Sequence, residues 1–234
     1  MAANPQRPAV ALIIPAKDEE ERIQNVLRAA CGSRLASEII VVDDGSDDDT
    51  AAVARRMPSV KVLELPQNRG KGGAMAAGVA STKAPIVAFI DADLSGLTGE
   101  HIDRIILPVM AGECDMCIGV FTKGKALSTG AQKIAPNLSG QRAMRRELFE
   151  SVTNIGNTRM GVEVALNEAA RRRRARLLYV KLLDVANCIK EQKLGLRRGG
   201  KERTKMYIEI AKTYVTSKRQ AKAKRFRPLR RPWV

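Results

Sequence analysis

Residues 87–96 read VAFIDADLSG, an apolar run that ends in Asp91 and Asp93 with one alanine between them. Two carboxylates so spaced at a strand end can reach one point, and at neutral pH they repel unless positive charge lies between their oxygens. A divalent cation is the simplest such charge. A second acidic cluster, VVDDGSDDDT (41–50), puts Asp43 and Asp44 at another strand end. Its residue types suit calcium, but the EF-hand spacing and terminal glutamate are missing. Asp47 or Asp48 suits an N-cap for the helix that follows, which leaves Asp43 or Asp44 to accept a hydrogen bond from a ligand such as a nucleobase imide. A third stretch, NRGKGG (68–73), opens a helix with glycines whose amides and dipole can face a phosphate, and adds Arg69 and Lys71. It matches neither the Walker A pattern nor the dinucleotide fingerprint.

These clusters need a frame that brings them together. AVALIIPA (9–16), EIIVVDDGS (38–46), VKVLEL (60–65) and APIVAFIDAD (84–93) read as strands. Between them, residues 17–30 carry Ile23, Val26, Leu27 and Ala30 on one helical face, 47–57 form a second helix with acids in its first turn, and 69–81 a third. Strands alternating with helices predict an α/β fold, with a mostly parallel sheet covered on both faces. Such sheets bind ligands at the carboxyl ends of their strands. Asp43, Asp44, Asp91, Asp93 and the turn from Pro15 to Glu19 all fall there. Further along, 121–140 reads as a mobile loop, 139–150 and 161–174 as helices, and ARLLYVKLL (175–183) as a strand.

Charge divides the chain. Residues 1–120 hold 12 Lys/Arg against 17 Asp/Glu, net −5, whereas 121–234 hold 29 against 8, net +21. The basic half calls for an anionic partner: nucleic acid, an anionic membrane surface or a phosphorylated substrate. Aromatics at 3% argue against a single-stranded nucleic-acid platform. Tyr207, Ile210, Ala211 and Tyr214 share one face of a basic amphipathic helix between Lys201 and Arg219, which suits a membrane interface, the protein's own sheet or a homodimer. We divide the chain into a catalytic domain, 1–195, and a basic C-terminal helical tail, 196–234. Neither a leader nor an apolar run of roughly 20 residues is evident, so the expected location is cytoplasmic, or peripheral on the inner face of a membrane. Cys114 and Cys117 have CxxC spacing without a second pair and read as structural thiols.

IIPAKDEEERI, IIVVDDGSDDDT, NRGKGGAMAAG and VAFIDADL follow one another as in family-2 glycosyltransferases of the GT-A fold, a resemblance that covers roughly residues 9–190. SGQRAMRRELF and RMGVEVAL are similar to acceptor-side segments of members acting on lipid phosphates or phosphoglycerate. The resemblance implies transfer of a sugar from a nucleotide-diphosphate sugar, with UDP or GDP as the nucleotide. Pro15, Ala16, Asp18 and Glu19 would form the first nucleotide-binding turn. Asp44, with Asp43, would read the base, and Lys71 would help hold the nucleotide. Asp91 and Asp93 would be the DxD pair, binding Mg²⁺ or Mn²⁺ against the diphosphate. Ser139, Gly140, Gln141, Arg142 and Arg145 would line the acceptor side. Many relatives carry a histidine near the last strand, where this chain has Asn187. The only histidine, His101, reads as an exposed helix residue.

Transfer to a hydroxyl needs a base, and Glu163 is the best-placed candidate in the second half. Transfer to a phosphate needs none, because the acceptor oxygen is already ionised. Arginines pair bidentately with phosphate, and Arg142, Arg145, Arg146, Arg159 and the 171–174 run are abundant here. A phosphorylated acceptor, such as a polyprenyl phosphate at a membrane face, is the preferred reading. A small acceptor such as phosphoglycerate, a haloacid-dehalogenase-like phosphatase and a non-enzymatic binder of anionic partners are the alternatives.

Overall fold

The computed structural model describes residues 7–121, 139–157 and 161–187. Seven strands form one sheet in the order β3-β2-β1-β4-β7-β6-β8. They are β1 (Val10–Ala16), β2 (Glu38–Asp43), β3 (Val60–Glu64), β4 (Ile86–Phe89), β6 (Met116–Phe121), β7 (Arg142–Arg145) and β8 (Leu177–Leu182). A two-stranded antiparallel ribbon pairs β5 (Leu94–Ser95) with β9 (Ala186–Asn187). The first four strands of the sheet are mutually parallel. β7 runs antiparallel to both β4 and β6, and β8 is again parallel to β6. This is the mostly parallel α/β sheet expected.

Strand side chains alternate between faces, and the two cores follow that period. Val10, Leu12 and Ile14 join Ile39, Val41 and Ala88 on one side, beneath α1 (Ile23–Cys31) and α4 (Gly99–Met110). Ala11 and Ile13 join Ile40, Val42 and Phe89 on the other. That side is covered by α3 (Gly70–Ala80), α5 (Arg146–Glu150) and α6 (Val162–Arg173). The short α2 (Thr50–Arg55) lies between β2 and β3 in the chain. Helix α3 approaches β1 so closely that a Cβ at Gly78 would come 2.5 Å from Ile13 Cγ2. The chain leaves β1 toward β2 on one side and reaches β4 on the other. The crevice at the carboxyl ends of β1 and β4 is therefore the topological switch point.

Four element readings are corrected. Helix α2 spans Thr50–Arg55, so the acids at 47–49 precede its first turn instead of lying in it. Helix α1 begins at Ile23, not at residue 17, because residues 17–22 make a turn in which Asp18 takes a positive φ of 54°. Residues 142–145, read as part of a helix, form the antiparallel strand β7, since RAMR hides an inward-facing arginine where a strand would show an apolar residue. Met116–Phe121, left without an element, is the strand β6. The loop at 122–138, the tail helix and the boundary between 195 and 196 lie outside the described residues. Cys114 and Cys117 are buried and not joined; burial pushes the Cys117 thiol up to about 12. Asp48 Oδ1 accepts from the Thr50 amide at 3.0 Å, so it serves the start of α2 although Asp49 holds the N-cap position.

Arg146, counted above among the acceptor cations, is a packing device. Its guanidinium donates to Ala84 O at 2.8 Å, Val79 O at 3.1 Å and Thr82 O at 2.6 Å, satisfying carbonyls at the end of α3. Arg146→Ala strips three carbonyls of a charged donor. The expected loss is about 2–3 kcal/mol, seen as a lower urea midpoint at an unchanged m-value.

Candidate active site

Each strand ending at the crevice delivers one part of the site. From β1, the Ala16 carbonyl accepts the Asp44 amide at 2.8 Å, which locks the first turn to the end of β2. The Asp18 amide donates to Ser46 Oγ at 3.0 Å, and Asp18 Oδ1 accepts the Asp47 amide at 2.9 Å. Lys17 Nζ donates to Gly45 O at 2.6 Å. Glu19 is buried, its amide on Thr50 Oγ1 at 2.7 Å and its carboxylate on Arg22 Nε at 2.8 Å. The turn is thus fixed before any ligand arrives.

Asp43 and Asp44, the two candidates for reading a base, are both buried and both hold backbone. Asp43 Oδ1 accepts the Ser46 amide at 3.1 Å and the Ser46 hydroxyl. Asp44 Oδ1 accepts the Arg69 amide at 2.7 Å. Arg69 is the N-cap of α3, so Asp44 joins the acidic turn to the glycine-rich turn and meets the first amide that a phosphate would have met. One amide of the NRGKGG turn is thus already held by a carboxylate.

Lys71 supplies the positive charge that the aspartates demand. Its Nζ lies 2.6 Å from Asp91 Oδ1 and 2.8 Å from Glu163 Oε1. Gln141 Nε2 donates to Asp91 Oδ2 at 2.8 Å, and Ser139 Oγ donates to Gln141 Oε1 at 2.8 Å. Gly140 sits so close that a Cβ there would lie 2.6 Å from Lys71 Nζ and overlap the Asp91 carboxylate. Burial works against charge in this cluster, yet for both groups the partners win. Desolvation alone would lower the Lys71 pKa, but Asp91 and Glu163 raise it above the usual lysine value. Desolvation alone would raise Asp91, but Lys71, Gln141 and Arg142 hold it below the usual carboxylate value.

The structure therefore gathers Lys71, Asp91, Ser139, Gly140, Gln141 and Glu163 into one constellation. The charge between carboxylates here is an ammonium, and it joins Asp91 to Glu163 rather than Asp91 to Asp93. Asp93 follows two residues later, just before β5, which pairs with β9 and so brings the 186–187 backbone beside the motif. Among the described residues, no group of three or more His, Cys, Asp or Glu side chains could hold a metal.

Two acceptor-side assignments change. Arg142 is fully buried, with its guanidinium on Ser139 O and, at 3.2 Å, on Asn167 Oδ1, so it stands behind the site wall instead of lining it. Arg145 pairs with Ile86, at the start of β4, whereas Arg142 pairs with Phe89 at its end. Three residues of strand thus carry Arg145 toward the opposite end of the sheet, where its Nε lies 3.4 Å from Asp115 Oδ1. It is withdrawn from the acceptor side. His101 closes a capping box on α4, with its Nδ1 accepting the Thr98 amide at 3.2 Å. Asn167 and the Lys71–Glu163 pair carried no local signal, the latter being 92 residues apart in the chain.

A family model for glycosyl transferase family 2 matches residues 11–171, and the chain belongs to that family. That membership retires the phosphatase alternative. The chain is similar to a dolichyl-phosphate beta-glucosyltransferase of Drosophila melanogaster, 37% identical over 99 residues, covering 36% of this chain and 30% of that protein. It is 38% identical over 125 residues to an uncharacterised glycosyltransferase of Mycobacterium tuberculosis, covering 53% of this chain and 49% of that one. It thus spans less than half the length of either of these curated relatives. Among solved structures, glucosyl-3-phosphoglycerate synthase from Mycobacterium tuberculosis with Mn²⁺ and UDP-glucose superposes with a TM-score of 0.65 at 26% identity, over 77% of this chain and 71% of that one. The same enzyme with Mn²⁺, UDP and phosphoglyceric acid covers 90% of this chain and 78% of its own, with a TM-score of 0.73; at 24% identity that likeness is one of fold.

Proposed function

We propose that this protein transfers a sugar from a nucleotide-diphosphate sugar to a phosphorylated acceptor, with Mg²⁺ or Mn²⁺ as cofactor. The observation that carries the reading is the constellation at the switch point: Lys71 held between Asp91 and Glu163, with Gly140 and Gln141 closed against it. The nucleotide would sit over the first turn and the ends of β1 and β2, beside Pro15, Ala16, Asp18 and Asp44. Its diphosphate would lead toward Asp93, and the sugar toward the Lys71 cluster.

The donor set suits a hard cation. Asp93 offers carboxylate oxygens beside Asp91, whose own oxygens are engaged by Lys71 and Gln141, and Mg²⁺ is commonly held by one or two carboxylates together with substrate phosphates. When bound, the cation would stabilise the charge of the departing nucleoside diphosphate. This chain's own side chains would do the rest. Lys71 fixes the two carboxylates, Gln141 orients Asp91, and Gly140 leaves room for the approach of both. Glu163, paired with Lys71, is suited to orienting a hydroxyl of the sugar. An acceptor phosphate asks for no general base.

The Drosophila relative's name, dolichyl-phosphate beta-glucosyltransferase, supports a lipid phosphate as acceptor, and with it action at a membrane surface. Among the described residues no helix is long and apolar enough to cross a membrane. The likeness to glucosyl-3-phosphoglycerate synthase supports phosphoglycerate as the second reading. The test begins with thermal unfolding in the presence of UDP-, GDP-, ADP- and dTDP-sugars, with Mn²⁺ and then with EDTA. A metal-dependent rise with UDP-glucose is expected, of about 2.7 kcal/mol at a hundredfold excess over Kd. Transfer of labelled sugar to a polyprenyl phosphate in detergent, compared with 3-phosphoglycerate, then selects the acceptor. No shift with any donor, in folded protein, would overturn the reading.

A further inference from the structure

We propose that Arg142 is a positioning residue for this transfer, a buried clamp that fixes the 139–141 segment against Asp91 and Lys71. The inference rests on the glycosyltransferase reading of the same site and deepens it. Arg142 is completely inaccessible, which is costly for a guanidinium unless its donors are used. Its two terminal nitrogens reach in two directions. One terminal nitrogen donates to the Ser139 carbonyl, at the start of the segment that touches the site. The other donates at 3.2 Å to Asn167 Oδ1 and, as a weak hydrogen bond, at 4.0 Å to Met116 Sδ.

Asn167 lies one turn after Glu163 on α6, and residues four apart share a helix face. The guanidinium therefore ties the site wall to the helix that supplies Glu163. From Ser139 the connection continues by hydrogen bonds alone: Ser139 Oγ to Gln141 Oε1, then Gln141 Nε2 to Asp91 Oδ2, both 2.8 Å. Gly140, between them, has no room to move inward, since even a methyl group would collide with the Asp91–Lys71 pair. A small outward shift of residue 139 would therefore loosen Gln141 from Asp91 and open the wall beside Lys71. The planar fork reaches the carbonyl and the amide oxygen from two separate nitrogens; a lysine ammonium would have to bring both oxygens to one atom.

Arg142→Lys is the discriminating variant, because it keeps the buried charge and removes the fork. Wild type is first shown to transfer from a nucleotide sugar; absence of transfer would remove the functional reading, not the clamp. In the variant, amide hydrogen exchange at residues 139–141 is expected to rise at least tenfold while β1 and β2 keep their protection. Binding of UDP with Mn²⁺ should stay within about twofold of wild type, and kcat should fall 30-fold or more with a small change in donor KM. Gln141→Ala should lower kcat by the same route, so the double variant should be no slower than the slower single one. Should Arg142→Lys fail to fold, Asn167→Ala cuts the same tie from the helix side and should reproduce the exchange at 139–141. Unchanged exchange at 139–141, or losses in kcat that multiply in the double variant, would overturn the proposal. So would a loss of UDP binding in step with global unfolding.

Discussion

Lys71→Met is expected to yield a folded protein less stable by about 2–4 kcal/mol and slower in transfer by about 10²–10³-fold. The stability loss follows from what the change leaves behind. Asp91 and Glu163 face the same ammonium from 2.6 and 2.8 Å, with side-chain exposures of only 20% and 14%. Removing it strands two negative charges in a site poor in water. The full cost of breaking a buried pair is about 3–5 kcal/mol, and the residual exposure reduces it. The two carboxylates are not stranded equally. Both keep the nearby positive charge of Arg142, but Asp91 also keeps the Gln141 amide, whereas the hydrogen bond that Glu163 accepts comes from Lys71. Adding Glu163→Gln to Lys71→Met should therefore restore more than half of the lost stability, while activity stays low. Urea unfolding of wild type, single and double variants at one pH measures it. A double variant as unstable as the single one would show that Lys71 stabilises by packing its methylenes, not by neutralising Glu163.

How much of this could be read from the chain depends on distance along it. The parallel half of the sheet was readable because its inner strands are nearly continuous apolar runs closed by a turn signal, as in Val10–Ala16 and Glu38–Asp43. Its functional residues were readable for the same reason: a strand end marks where a ligand can bind. β7 was not, because its four residues include two arginines, one of them buried by partners at Ser139 and Asn167 that no local pattern reveals. The abundance of arginine suggested phosphate, yet the structure spends Arg142 on the site wall, Arg146 on the end of α3, and Arg171 on Glu168 at 2.7 Å. A count of charges identifies a basic half; it does not say which charges face a ligand. The DxD pair shows the converse. The spacing of two aspartates predicts a counter-charge between them, but the one that meets Asp91, Lys71, comes from a helix 20 residues earlier in the chain and joins it to Glu163 instead.

The two aspartates of that pair should behave as different residues. Asp91 is engaged at both oxygens by Lys71 and Gln141, so it belongs to the scaffold of the site. Asp93 lies beyond the strand end, in the loop that leads to β5, and is the better placed to meet a cation carried in with a diphosphate. Asp93→Asn is thus expected to act on the response to metal and donor. Its nucleotide-sugar shift in Mn²⁺ should fall to the level seen in EDTA, and kcat should drop about 10³-fold or more, since a Lewis acid at a developing anion contributes several kcal/mol. Asp91→Asn should lower the unliganded melting temperature by several degrees, because the Lys71 ammonium loses one of its two carboxylate partners and the Gln141 amide its charged acceptor, yet retain a difference between Mn²⁺ and EDTA. Thermal unfolding of the two variants under the four conditions separates the roles. If instead Asp91→Asn abolishes the metal response and leaves stability intact, the cation binds at Asp91 and Lys71 must leave it when the donor arrives.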